Sequence, residues 1–323
     1  MIIKSQLLRG LFGIDKETLQ DLCFTFDNLS IFKTALQSGT SVFKKVASIF
    51  VDEKNDKDIE NEEYENFIKK PINWHRQNAL IKFDEILDIK DFEKIDSVRE
   101  LDDICQDIEE KTIACQKEIN KNFKGKNIID FQMHNISVLE KAFSKMDKDD
   151  QKEIGKDIDD HFKELSKKHK SFNQLLKKIK SDFGVKDFNY KSIKKILKNK
   201  NYLKKLLIID DEHGQFIRFI LFELVIEIGK SLVGKTKFYG NVMAASTAVL
   251  FIFTGGLEAL LAGGFTGVVD RFRGKKAKIT ILCYSVFLIS LSSLDNLDPF
   301  DDIKEYIKEH NKDEFSFEEE VSI

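Results

Sequence analysis

At 323 residues, with 42 % hydrophobic and 33 % charged side chains, the chain can bury a sizeable core and is not of disordered composition. Its net charge of −3 excludes a uniformly basic or acidic protein, but the average conceals residues 163–205, where fifteen Lys face only Glu164, Asp182 and Asp187. That local charge of +12 points to an anionic surface as partner.

Residues 1–51 read as short amphipathic helices, with "IDKETLQDLCFTF" and "SVFKKVASIFV" the clearest. The N-terminus carries no apolar stretch followed by a small-residue cleavage site, so no cleavable export signal is expected. Residues 52–70 form an acidic linker, after which Pro71 opens a helix through Trp74, Leu80, Phe83 and Ile86. Pro71 and Pro299 are the only prolines, which leaves the intervening chain free to build long helices.

The sharpest periodicity lies between them, in a helical domain spanning 71–210. Val98, Leu101, Cys105, Ile108, Thr112, Cys115 and Ile119 follow one another at alternating spacings of three and four. Ile136, Leu139, Phe143 and Met146 keep that rhythm, as do Ile158, Phe162, Leu165, His169, Phe172, Leu176 and Ile179. Such spacing puts each set on one face of a helix. It predicts three consecutive helices, about 95–123, 129–146 and 152–182, folded as an antiparallel coiled-coil bundle. No stretch alternates with period two, so the expected fold class is all-α.

Cys23, Cys105, Cys115 and Cys283 show no paired spacing and are expected to be buried free thiols. The histidines lack metal-ligand spacing, and no catalytic constellation can be assembled, so neither an enzyme nor a cofactor is expected.

Beyond residue 210 the chain turns hydrophobic. The run 216–233 is apolar except for Arg218, Glu223, Glu227 and Lys230; 243–269 contains only Glu258 as a charge; 279–294 contains none. Within this region Gly229, Gly234, Lys235 and Thr236 match G-x-x-x-x-G-K-[ST], the loop that cradles nucleotide phosphates. That loop needs a preceding strand and further parallel strands, for which the flanking sequence offers no room. A turn between two hydrophobic helices is favoured instead.

Crossing a bilayer takes ~20 apolar residues, which 243–269 supplies and 279–294 supplies only with help from Lys278 at the interface. Gly255, Ala259, Gly263 and Gly267 recur every fourth residue, a ridge along which helices associate in lipid. Arg271, Arg273, Lys275, Lys276 and Lys278 form a basic loop of the kind found on the cytoplasmic side. Glu258, amid a spanning helix, is a candidate pore-lining or interhelical residue. The C-terminal hydrophobic helical hairpin, residues 211–294, is therefore expected to insert in or anchor to an anionic lipid membrane of bacterial inner-membrane type. The helical domain would then be cytoplasmic and 295–323 an acidic tail. The layout resembles helical pore-forming toxins and colicin-like channel domains in architecture, with no shared motif.

The favoured function is a membrane-inserting, permeabilising protein acting as a homo-oligomer. The alternatives are an anchored scaffold recruiting a protein partner through its coiled coil, or a nucleotide-binding protein using the Lys235 loop. The rival to membrane insertion is a helical hairpin buried inside protein. Nucleic acid is disfavoured as a partner, because the basic segment contains no arginine to read bases.

Overall fold

The computed structural model describes residues 3–27, 66–89, 95–168, 170–209, 212–233, 275–292 and 299–311. These residues are mostly helical, with no strand among them, so the described part of the chain is all-α. The helices are α1 (Gln6–Gly13), α2 (Lys16–Asp27), α3 (Ile72–Leu87), α4 (Val98–Ile119), α5 (Ile128–Lys145), α6 (Lys148–Lys168), α7 (Lys170–Asp182), α8 (Tyr190–Lys198), α9 (Lys200–Ile208), α10 (Glu212–Val233), α11 (Lys275–Leu291) and α12 (Phe300–His310).

Local chemistry sets where these helices begin. Ser5, Ser97 and Asn127 accept the backbone N–H three residues on, from Leu8, Glu100 and Asp130, and so cap α1, α4 and α5. Pro71 stands before α3, where its missing N–H costs nothing. The seam expected on α4 is inward: Val98, Leu101, Cys105, Ile108 and Thr112 are buried, with Cys115 and Ile119 half-buried. Residues 152–182 do not run as one straight helix. The Phe162 and Phe172 rings lie 5.9 Å apart, whereas ten residues of straight helix would separate them by ~15 Å along the axis. The chain therefore turns between α6 and α7.

The C-terminal apolar runs require a correction. Among the described residues no helix is long and apolar enough to cross a membrane. The uncharged run from Ile279 is α11, and from Ile279 to Ser292 every residue is buried. Its neighbours are protein: α1, α2, α3, α4, α5 and α10 all pack against it. A helix that is hydrophobic all round and sheathed in amphipathic neighbours is a core helix. Polar groups near its C-terminal end find partners there, as Ser290 Oγ does with Gln132 Nε2 at 3.0 Å.

The second run, 216–233, lies within α10 and is likewise buried at Phe216, Ile217, Ile220, Leu221, Leu224, Val225 and Ile228. Two of its charges meet other helices. Arg218 Nη2 donates to the Leu207 carbonyl at 2.6 Å, and Glu223 lies 3.6 Å from His161 on α6. The membrane-inserting, pore-forming reading is therefore overturned; the third apolar run, 243–269, lies outside the described residues.

The phosphate loop falls as well. Gly229 sits inside α10, and the stretch before it, "FELVIEI", is helix where the loop needs a strand. Gly234, Lys235 and Thr236 lie outside the described residues, as do Gly255, Glu258, Ala259, Gly263, Gly267, Arg271 and Arg273. Lys275, Lys276 and Lys278 fall in the first turn of α11, where Lys278 is exposed.

Candidate functional site

The lysine-rich segment folds into α7, α8 and α9, and each helix divides its residues in the same way. On α7, Phe172, Leu176 and Ile179 are buried while Lys177 and Lys178 are exposed. On α8, Ile193, Ile196 and Leu197 point inward and Lys191, Lys195 and Lys198 outward. On α9, Leu203, Leu206 and Leu207 are buried and Lys200, Lys204 and Lys205 exposed. Asn189 starts α8 by accepting from the backbone of both Lys191 and Ser192, at 3.0 and 3.1 Å. That cap fixes where the helix begins.

Side chains of α8 and α9 reach the end of α7. Gly184 has φ +57°, which only glycine adopts without strain, and its carbonyl accepts from Lys195 Nζ of α8 at 3.1 Å. Phe183 beside it packs edge-on against Tyr202 of α9, centroids 5.1 Å apart. Burial and a hydrogen bond to Asp182 push the Tyr202 hydroxyl up to about 12, so the phenol stays neutral and joins α9 to the end of α7. Asp182 also lies 3.2 Å from His213 of α10. The lysines therefore stand on one connected platform.

Beneath it is an aromatic layer. Phe162 meets Phe188 edge-to-face at 4.8 Å, and Phe172 meets Phe216 in the same way at 4.8 Å. Phe172, Phe183 and Phe188 are all buried, so no phenylalanine of this segment is available to stack on a nucleobase. The basic segment's aromatics support the fold, and its lysines make the surface.

Few of these charges are neutralised. Lys204 pairs with Asp130 of α5 at 2.7 Å, which holds the Asp130 carboxyl below its ordinary value, and Lys163 pairs with Asp159 at 2.7 Å. Lys177, Lys178, Lys186, Lys198, Lys200 and Lys205 take part in no ion pair among the described residues. Lys191 Nζ lies 5.9 Å from the Tyr190 ring centroid.

Elsewhere the chemistry is internal. An open groove of about 500 Å³ is lined by Ile89, Ser97, Arg99, Glu100, Asp103, Ile104 and Asp107. It is mainly acidic, opposite in sign to the lysine platform. No group of three or more His, Cys, Asp or Glu among the described residues could hold a metal ion. The four cysteines are free; Cys23, Cys105 and Cys283 are buried and Cys115 half-buried.

A buried polar cluster escaped the sequence reading. Two carboxylates of α4 reach under the start of α1: Asp102 accepts from the Lys4 and Ser5 backbone at 3.1 and 2.8 Å, while Glu109 accepts from Ser5 Oγ at 2.8 Å and Leu7 N at 2.7 Å. The signal available was their spacing of seven on the flank of the α4 seam, beside Cys105. Nothing in the sequence names the neutral partners they would meet.

No protein-family model, curated protein or solved structure matches the chain.

Proposed function

We propose that this chain is a non-catalytic binding protein whose lysine platform on α7–α9 docks an acidic protein partner. The observation that carries this reading is the set of exposed lysines without counter-ions on three helices, α8 and α9 each being tied to the end of α7 by a side chain. Long solvated lysines attract carboxylates at range and with little geometric demand, which suits an acidic protein surface. Duplex or single-stranded nucleic acid fits less well, because the segment lacks arginine and its phenylalanines are buried. The antiparallel helical bundle anticipated from the seams of residues 98–119, 136–146 and 158–179 would serve as the rigid support of this platform. The buried seam residues Leu101, Ile136 and Ile158 favour that arrangement.

Reversing four exposed lysines, Lys177, Lys191, Lys198 and Lys205, to Glu tests this directly. Labelled polyglutamate is the probe, at low ionic strength. Each exposed pair contributes ~0.2–1 kcal/mol and reversal adds repulsion, so the fourfold variant should bind about 30-fold more weakly or worse. The wild-type affinity should also fall steeply with added salt. Unchanged affinity in the variant, or tighter salt-sensitive binding of duplex DNA than of polyglutamate, overturns the proposal.

A further inference from the structure

The platform ends on an unusual feature. Ile208 and Ile209, at the C-terminus of α9, are 60 % and 40 % exposed and are the large hydrophobic residues that stand exposed among the described residues. Scattered surface isoleucines are ordinary in folded proteins. Three observations set this pair apart.

The two residues are adjacent and sit one turn beyond Lys204 and Lys205, so the apolar spot is bordered by positive charge. The backbone that carries them is held from below by a buried arginine. Arg218, only 3 % exposed, donates through Nη2 to the Leu207 carbonyl at 2.6 Å and approaches that of Ile209 at 3.5 Å. Finally, the start of α10 closes on the same strip. A side chain at Gly214 would overlap the Ile209 carbonyl and come within 2.8 Å of the Leu206 carbonyl, so backbone meets backbone there. Burying a guanidinium is costly unless its donors are satisfied, and here its donation is directed at the strip that turns two isoleucines outward. A contact residue fixed before binding loses little freedom on binding.

We propose that Ile208–Ile209 is the apolar anchor of the lysine platform, and that its occupant is an acidic protein segment carrying its own apolar side chains. This rests on the lysine-platform reading above and adds the composition of the partner. Carboxylates of the segment meet Lys198, Lys200 and Lys205, and its apolar side chains cover the two isoleucines. A purely anionic chain leaves the isoleucines in water and forgoes that burial. An apolar segment without carboxylates leaves the ammonium groups of Lys198, Lys200 and Lys205 uncompensated. The two features together select an amphipathic acidic segment.

The experiment uses the full chain and two labelled polymers of matched length, polyglutamate and a random glutamate–tyrosine copolymer. Wild type should bind the copolymer about tenfold more tightly than polyglutamate. The double variant Ile208→Ser, Ile209→Ser should lose that preference while binding polyglutamate as wild type does. Both positions are exposed, so the variant should melt with wild type, and circular dichroism checks this.

Equal binding of the two polymers by wild type, or a preference that survives in the double variant, overturns the anchor and leaves the lysine platform standing. Failure of wild type to bind either polymer at low salt overturns both. Phosphatidylserine vesicles that bind wild type more tightly than the copolymer, and lose that binding in the double variant, assign the isoleucines to lipid and also overturn the proposal.

Discussion

Gly10→Ala is expected to destabilise the protein by about 2–4 kcal/mol, measured as a fall in the urea midpoint at unchanged slope. In an ordinary helix this exchange gains ~1 kcal/mol, because alanine is the better helix former. Here the added methyl has nowhere to go. It would overlap the backbone carbonyl of Ile289 on α11, with Ile289 Cγ2 at 3.2 Å closing the side. The obstruction is main chain, which cannot swing aside like the end of a side chain. The same residue's carbonyl accepts from Ser292 Oγ at 3.3 Å, so α1 and α11 are joined by a hydrogen bond where their backbones touch. A neutral or stabilised Gly10→Ala variant would mean that α1 does not lie against α11.

The second large effect depends on pH. Glu109 is buried, and its carboxyl is pushed up to about 7, chiefly by burial. Hydrogen bonds from Leu7, Ser5 and Gln6 pull it the other way, and the neighbouring charge of Asp102 adds to the rise. From α4 it faces Asp102 and the Cys105 thiol; from the α1 side it meets the neutral donors of Ser5, Gln6 and Leu7. Arg9 lies within electrostatic reach of Asp102, and its guanidinium donates to the Ile3 carbonyl. A carboxyl raised in the folded state above its ordinary 4.5 favours folding while protonated. Its cost appears as pH rises from about 4.5 and is complete above about 7. At 1.36 kcal/mol per unit that cost is on the order of 3 kcal/mol.

His75 works in the opposite direction. Burial, aided by the positive charge of Lys16, holds its imidazole down at about 4, so stability is lost as pH falls from about 6.5 to 4. The two effects overlap, and the wild-type stability profile alone would conceal both. Glu109→Gln separates them, because the amide oxygen can still accept from Ser5 and Leu7 but does not titrate. The stability of the variant relative to wild type should rise by up to about 3 kcal/mol between pH 4.5 and 8. A difference that stays flat across that range would place Glu109 in water.

How much of this was legible in the sequence depended on which residues were asked. The period-3.6 pattern of α4 and α5 and the proline before α3 gave element type and inward face, because a half-buried helix must alternate apolar and polar sides. The charge of the lysine-rich segment was legible too, as fifteen Lys against three acids over 163–205, but the helices α8 and α9 that carry much of it were not anticipated. The place of α11 was not legible. "ITILCYSVFLISL" is apolar on every face, and such a helix satisfies lipid and protein core equally. The deciding facts are Gly10, Gln132 and the flanks of α4, up to 282 residues away in sequence, which form its socket. The role of Arg218 was not legible either. A charge inside an apolar run does not say what it meets, and here its guanidinium donates to the Leu207 carbonyl of the preceding helix.

The core position of α11 is tested most directly by thiol reactivity of the folded full-length chain in aqueous buffer. Burial pushes the Cys283 thiol well above its ordinary value, and its Sγ lies 3.8 Å from the Thr112 carbonyl on α4, whereas Cys115 is half-buried. A water-soluble thiol reagent followed by peptide mapping should mark Cys115 first and reach Cys283 only as the chain unfolds in denaturant. Labelling of Cys283 as fast as Cys115 in the folded chain, or protection of Cys283 that appears only when lipid vesicles are added, would contradict a helix housed by its own protein.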